Sequence, residues 1–174
     1  MMSKDWVFKL RPMRRADLEQ VLALEERIFP TPWSMNSYVF ELEQNPASEQ
    51  WVIAARGRQG VWQVAAYNVC WVLGDEVHIA NLAVSPEFRR MGLGRRLLSH
   101  VLTRAAEDGL RHATLEVRAG NLAAQALYSN FGFQIAARRK HYYRDNHEDA
   151  LLMHLAHLDA MAINETRKVL VEER

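Results

Sequence analysis

The stretch Val77 to Leu102, VHIANLAVSPEFRRMGLGRRLLSHVL, decides how this chain is read. It opens as an apolar run of strand character and passes Ser85-Pro86. A basic glycine-bearing turn, RRMGLG, then leads straight into an amphipathic helix. Leu93, Leu97, Leu98, Val101, Leu102 and Ala105 recur at the spacing of one helical face. A strand, a glycine turn and a helix start together suit phosphate, because the first helical turn offers unpaired N–H groups and a positive dipole end. Arg89, Arg90, Arg95 and Arg96 add charge at the same point. A phosphorylated cofactor is therefore expected on Arg89, Arg90, Met91, Gly92, Leu93, Gly94 and Arg95. The competing reading is that Gly92 and Gly94 only shape a turn before a core helix. There is no GxxxxGK[ST] pattern, and Leu97 stands where a dinucleotide site would place its third glycine. The turn alone says anion site, and not which anion.

At 174 residues one domain is the natural expectation. With 49% hydrophobic and 25% charged residues, the composition is that of a soluble globular protein. A net charge of +1 gives no support to broad nucleic-acid or membrane binding. The single cysteine, Cys70, can make neither an internal disulfide nor, alone, a zinc site, and its apolar surroundings predict a buried, inert thiol. No apolar segment is long enough to span a bilayer and no signal-peptide core is visible, so the cytoplasm is the expected location.

Along the chain, WVFKLR (6–11) alternates like a half-buried strand. A helical pattern over 16–29 stops at Pro30 and Pro32, and Ser34 is placed to cap a second helix to about Gln44. Trp33 either staples that helix to the core, the preferred reading, or walls a substrate groove. Strand-like runs at 50–56, 61–73 and 76–84 are separated by turn signals and suggest an antiparallel meander. Asp108-Gly109 stops the long helix, HATLEVR (112–118) alternates again, and Asn121 is placed to cap a helix over 122–130. FQIAARR and EDALLMHLAHL read as two further strands. A helix is the expectation for the tail, 159–174. The order is that of a mixed α/β domain over 1–158, with the glycine turn beyond the carboxyl end of a strand.

Two residues stand out for chemistry. Glu116 is an acid within an apolar strand, on the face opposite Leu115 and Val117; it is either a base or an ordinary solvent-side glutamate. Tyr128 lies seven residues after Asn121, on the same side of a helix, and either packs or donates a proton. Together they would supply a base and an acid beside the helix start. No Ser/His/Asp order or HExxH pattern competes, and the seven histidines show no ligand spacing, so no metal is expected.

NLAVSPEFRRMGLGRRLL (81–98), TLEVRAGNLAAQALYSNFGF (114–133) and YYRDNHEDALLM (142–153) together resemble the GNAT acetyltransferase superfamily. The likeness is greatest to the bacterial ribosomal-protein alanine N-acetyltransferases (RimI-like), and FPTPWS (29–34) fits as well. The likeness runs from about Phe8 to Leu155. It implies a GNAT fold: a mixed, mostly antiparallel sheet flanked by helices and splayed between its fourth and fifth strands, with acetyl-CoA as co-substrate. It also implies that Leu82, Ala83 and Val84 offer backbone groups to the pantetheine arm, that Arg90 to Arg95 hold the pyrophosphate, and that Asn121 contacts the cofactor. Glu116 matches the general base and Tyr128 the general acid; Trp33 and Tyr142 would face the acceptor. Acceptors to weigh are a peptide or protein N-terminus, with a small-subunit ribosomal protein beginning with alanine as the implied case, or a lysine or small amine. A non-catalytic acyl-CoA sensor is the third reading, against which the retention of Glu116 and Tyr128 counts.

Overall fold

A computed structural model describes residues 6–58, 60–159 and 163. The strands are β1 (Val7–Pro12), β2 (Ser48–Arg56), β3 (Gln63–Leu73), β4 (Glu76–Val84), β5 (His112–Arg118), β6 (Gln134–Arg139) and β7 (Ala150–Leu155). The helices are α1 (Leu18–Ile28), α2 (Met35–Glu43), α3 (Leu93–Glu107) and α4 (Leu122–Ser129). The strands form one sheet in the order β1-β2-β3-β4-β5-β7-β6. β1 and β2, β5 and β7, and β7 and β6 pair antiparallel, whereas β4 and β5 are parallel. The two-residue Gly74-Asp75 link between β3 and β4, and the short link between β2 and β3, allow only antiparallel hairpins there. The mixed, mostly antiparallel sheet expected from the sequence is thus present.

The register of β4 on β5 runs from Glu76↔His112 to Ile79↔Leu115 and stops. Both strands continue, β4 to Val84 and β5 to Arg118. The chain divides into two compact units, Met1–Val69 with Asn81–Leu97, and Cys70–Ala80 with Leu98–Arg174.

In the first unit, β1 lies on β2 from Val7↔Arg56 to Pro12↔Trp51. Ile53, Ala55, Ala65, Ala66, Phe88, Leu93 and Leu97 form a buried cluster, covered by Trp6, Phe8, Leu10, Trp51 and Val84. Trp6 meets Phe88 edge-on, with ring centroids 4.9 Å apart. α1 buries Leu18, Val21, Leu24 and Glu25, one stripe in which the last member is an acid. Ser34 caps α2 as expected, accepting from Ser37 N–H at 3.1 Å. The third strand begins at Gln63, not residue 61. Val61 and Trp62 are exposed, and Arg56 stacks on the Trp62 ring.

In the second unit β5 alternates, with Ala113, Leu115 and Val117 buried and Thr114, Glu116 and Arg118 half-buried. β7 covers β5 from Ala113↔Leu155 to Arg118↔Ala150, and β6, all of whose residues are exposed, forms the edge. A bulge between Ile135 and Ala137 and the charges of Arg138 and Arg139 blunt that edge against further pairing. The last strand is shorter than EDALLMHLAHL suggests and ends at Leu155. Cys70 is buried, as expected. The helix expected over 159–174 falls outside the described residues, apart from Asp159 and Ile163. Among described residues no helix is long and apolar enough to cross a membrane.

Candidate active site

In the first unit β4 runs out through Leu82 and Val84, both half-buried, with Ala83 buried between them. A short 3-10 turn, Pro86–Phe88, follows, fixed by the buried Phe88 ring and by an Arg27–Glu87 ion pair of 2.6 Å. Hydrogen bonds from Ser85 and Arg27 hold the Glu87 carboxyl down at about 2. The chain then turns through left-handed conformations at Arg90 (φ 62°) and Gly92 (φ 76°). Arg96 N–H donates to Gly92 O at 3.0 Å and closes the first turn of α3. Leu93 is buried, whereas Arg89, Arg90 and Met91 are exposed and Gly94 and Arg95 half-buried. The Nε of Arg95 is buried with no hydrogen-bond partner among described residues. Free first-turn N–H groups, a left-handed bend and an unpartnered guanidinium nitrogen fit a pyrophosphate.

The same unit holds a cluster that sequence reasoning missed. Glu25 on α1 is fully buried, and its carboxylate accepts from the Tyr38 hydroxyl of α2, from Asn81 Nδ2 of β4, and from Trp33 N–H at 3.3 Å. Asn81 Nδ2 also reaches the Tyr38 oxygen at 3.2 Å. Trp33 rests on Tyr38 with ring centroids 5.5 Å apart. Burial and the adjacent Glu25 charge push the Tyr38 phenol far up, and burial does the same to Tyr67. Glu25 sits at a stripe position of α1, so its sequence context reads as amphipathic helix, and its partners lie 8, 13 and 56 residues away.

In the second unit Glu116 sits on β5 with its carboxylate on the face shared by Thr114 and Arg118. It accepts from Arg139 Nη1 of β6 at 2.6 Å. Its interaction with the Tyr142 hydroxyl raises the Tyr142 pKa. Arg139 stacks over Tyr142, 5.5 Å from the ring centroid. His78 of β4 faces the same charges. Burial lowers its pKa, against the pull of Glu116 and Glu76. It stacks on Trp71 and bonds Thr114 at 2.9 Å.

Tyr128 of α4 is buried, with its ring 5.8 Å from Phe133. Burial and then Tyr143 push its pKa up to about 12, so the phenol is protonated at neutral pH. Tyr143 is itself raised by burial and influenced by Glu116, so it stands electrostatically between the base and acid candidates. An ion network holds this connection in place. Arg118 lies over the Tyr143 ring at 3.8 Å and pairs with Asp145 at 3.0 Å and Glu148 at 3.2 Å. Glu148 also accepts Gly120 N–H at 2.7 Å, and a Cβ at Gly120 would lie 2.8 Å from that oxygen. Asn121 caps α4, its Oδ1 accepting Ala124 N–H at 3.2 Å.

Thus Glu116, Tyr142 and Tyr128 fall in one unit with Asn121, and Leu82, Ala83, Val84, the 89–95 turn and Trp33 fall in the other. Arg139 is the functional candidate that the sequence did not single out.

The acetyltransferase (GNAT) family model matches residues 18–133. A putative ribosomal protein bS18-alanine N-acetyltransferase of Bacillus subtilis (strain 168) is 38% identical over 144 residues, which cover 83% of this chain and 92% of that protein. The ribosomal protein bS18-alanine N-acetyltransferase of Escherichia coli (strain K12) is 35% identical over 145 residues, 82% and 93% of the two chains. The crystal structure of the ribosomal-protein-S18-alanine N-acetyltransferase from Escherichia coli superposes with a TM-score of 0.77 at 32% identity, covering 88% of this chain and 96% of that one. With its strand order, basic helix-start turn and strand carboxylate, the chain belongs to the GNAT acetyltransferase family and is an acetyl-CoA-dependent N-acetyltransferase.

Proposed function

We propose that this enzyme acetylates the α-amine of a peptide or protein N-terminus, with alanine at the head of ribosomal protein bS18 as its acceptor. Relatives of that name match over most of both chains. The observation that carries the chemistry is the pairing, in one unit, of a half-exposed carboxylate at Glu116 with a phenol at Tyr128 that burial keeps protonated.

Acetyl-CoA supplies an activated thioester. Arg90 to Arg95, with Arg89 beside them, bind the pyrophosphate through first-turn N–H groups and guanidinium charge, and Asn121 adds a contact. Leu82, Ala83 and Val84 present backbone groups to the pantetheine arm, and an N–H near Val84 orients the carbonyl oxygen. Glu116 takes a proton from the acceptor ammonium, directly or through water. The freed nitrogen forms the new C–N bond as the C–S bond breaks. Tyr128 gives its proton to the departing thiolate. It regains one as the acylated nitrogen sheds its second proton to become the neutral amide, while Glu116 releases the first to solvent. An α-ammonium has a pKa of about 7.7–8.0 and lysine about 10.4, so lysine adds roughly 3.4 kcal/mol of deprotonation cost near neutral pH. That difference favours an α-amine for a carboxylate base. Trp33 and Tyr142 are the candidate acceptor-binding residues.

The test supplies acetyl-CoA with three acceptors: a peptide beginning with alanine, the same peptide blocked at its α-amine but carrying lysine, and a small primary amine. CoA release and mass spectrometry should find the acetyl group on the α-amine. Acetylation confined to lysine or the small amine would reject this acceptor, and no CoA release from any of them would leave an acyl-CoA sensor.

A further inference from the structure

Glu116, the proposed base, is already engaged. Its Oε1 forms an ion pair with Arg139 Nη1 at 2.6 Å. The partner comes from two strands away. β7 lies between β5 and β6, where Glu116 is opposite Leu152 and Arg139 opposite Ala150. Arg139 therefore reaches diagonally across β7 to place a cation on the one acid of that strand face. Its side chain is 53% exposed, and it also lies over the Tyr142 ring. The groups facing Glu116 are Arg139, Tyr142, Tyr143 and His78.

From this geometry, and resting on the reading of Glu116 as base, we propose that Arg139 is a displaceable stand-in for the acceptor's ammonium. A guanidinium and an α-ammonium carry the same charge and compete for the same oxygens. The acceptor enters by exchanging one cation for another, so the carboxylate is never left uncompensated. Once the amine has become an amide, the product has no charge with which to hold Glu116. Arg139 then returns to Glu116, and the acetylated product, which does not compete for that carboxylate, binds without regard to Arg139. Arg139 is a positioning residue in this scheme: it sets how tightly a cationic acceptor binds and takes no proton itself.

The test is direct binding by calorimetry, with CoA present, of a synthetic peptide beginning with alanine and of the same peptide α-acetylated. Arg139→Met should bind the free-amine peptide roughly two- to fivefold more tightly, the scale of a part-exposed ion pair, and leave the acetylated peptide unchanged. Arg139→Lys, which keeps the cation, should behave as the wild type and also serves as the folded control. Glu116→Gln combined with Arg139→Met should show no gain over Glu116→Gln alone. In turnover, Arg139→Met should lower the acceptor KM by the same factor. Unchanged or weaker binding of the free-amine peptide by Arg139→Met would overturn the proposal. Full turnover by Glu116→Gln would instead remove the base assignment, an outcome the binding measurements do not share.

Discussion

The backbone N–H of Trp33 donates to the buried carboxylate of Glu25 at 3.3 Å, so the loop between the first two helices hangs on an acid inside the helix before it. Tyr38 and Asn81 supply further donors to the same group. Glu25→Gln keeps the shape but replaces one acceptor oxygen by an N–H donor pointed at other donors. A buried donor facing donors costs about 1–3 kcal/mol. Urea denaturation should register that loss, and a change below a few tenths would mean that the cluster contributes no net stability.

Glu116→Gln and Tyr128→Phe test the acid–base pair. Each should lower kcat by roughly a hundredfold or more, the usual contribution of a positioned acid or base. Acetyl-CoA affinity, carried by the 89–95 turn and not by these side chains, should stay near that of the wild type. Stopped-flow or calorimetric binding beside steady-state rates separates the two quantities. Full activity in both variants would reassign both roles.

What the sequence revealed follows the range of the interactions. The α3 face, the alternation of β5, and the caps at Ser34 and Asn121 depend on neighbours within one element, and each appears where the pattern placed it. FQIAARR also reads as a strand and forms β6, Gln134–Arg139, although all of its residues are exposed. By contrast, Glu25 and Arg139 were hidden. Their partners come from other elements, and the diagonal from Arg139 to Glu116 exists only because β7 is inserted between β5 and β6. A single sequence carries no record of that insertion.

Gly92 adopts φ 76°, a conformation that a side chain disfavours. Gly92→Ala should cost about 1 kcal/mol in stability. It should also raise the KM for acetyl-CoA several-fold, because the bend sets the first-turn N–H groups. The acceptor KM should change less. An unchanged acetyl-CoA KM would separate the bend from cofactor binding.

All five tyrosines are raised in pKa. For Tyr38, Tyr67 and Tyr128 burial is the leading cause, and Tyr128 stands at about 12. A folded pKa above the unfolded value of about 10 means that the native state holds its protons longer. Their contribution is complete below pH 10 and is lost as pH rises from there through the folded values. Urea midpoints should fall above about pH 10, and the ultraviolet phenolate signal of these three should appear with unfolding. Titration of all five phenols near pH 10 in the folded protein would refute the burial argument.

The acid limit has a different origin. Burial alone would raise Asp17, but Arg11, bound through both oxygens at 2.7 Å, and the Arg14 N–H, also at 2.7 Å, bring it below the usual carboxylate range. Arg11 is raised by the same hydrogen bond. A depressed carboxyl stabilises above its unfolded pKa of about 3.9, and the effect fades as pH falls through the lower folded value. Asp17→Asn leaves a half-buried guanidinium with one neutral acceptor and should cost about 2–3 kcal/mol near neutral pH. As pH falls through the lowered folded pKa the variant and wild type should converge, because protonation makes the wild-type side chain equally neutral. A gap in urea midpoints that stays constant from pH 7 down to 2 would place the stabilisation in packing instead of charge.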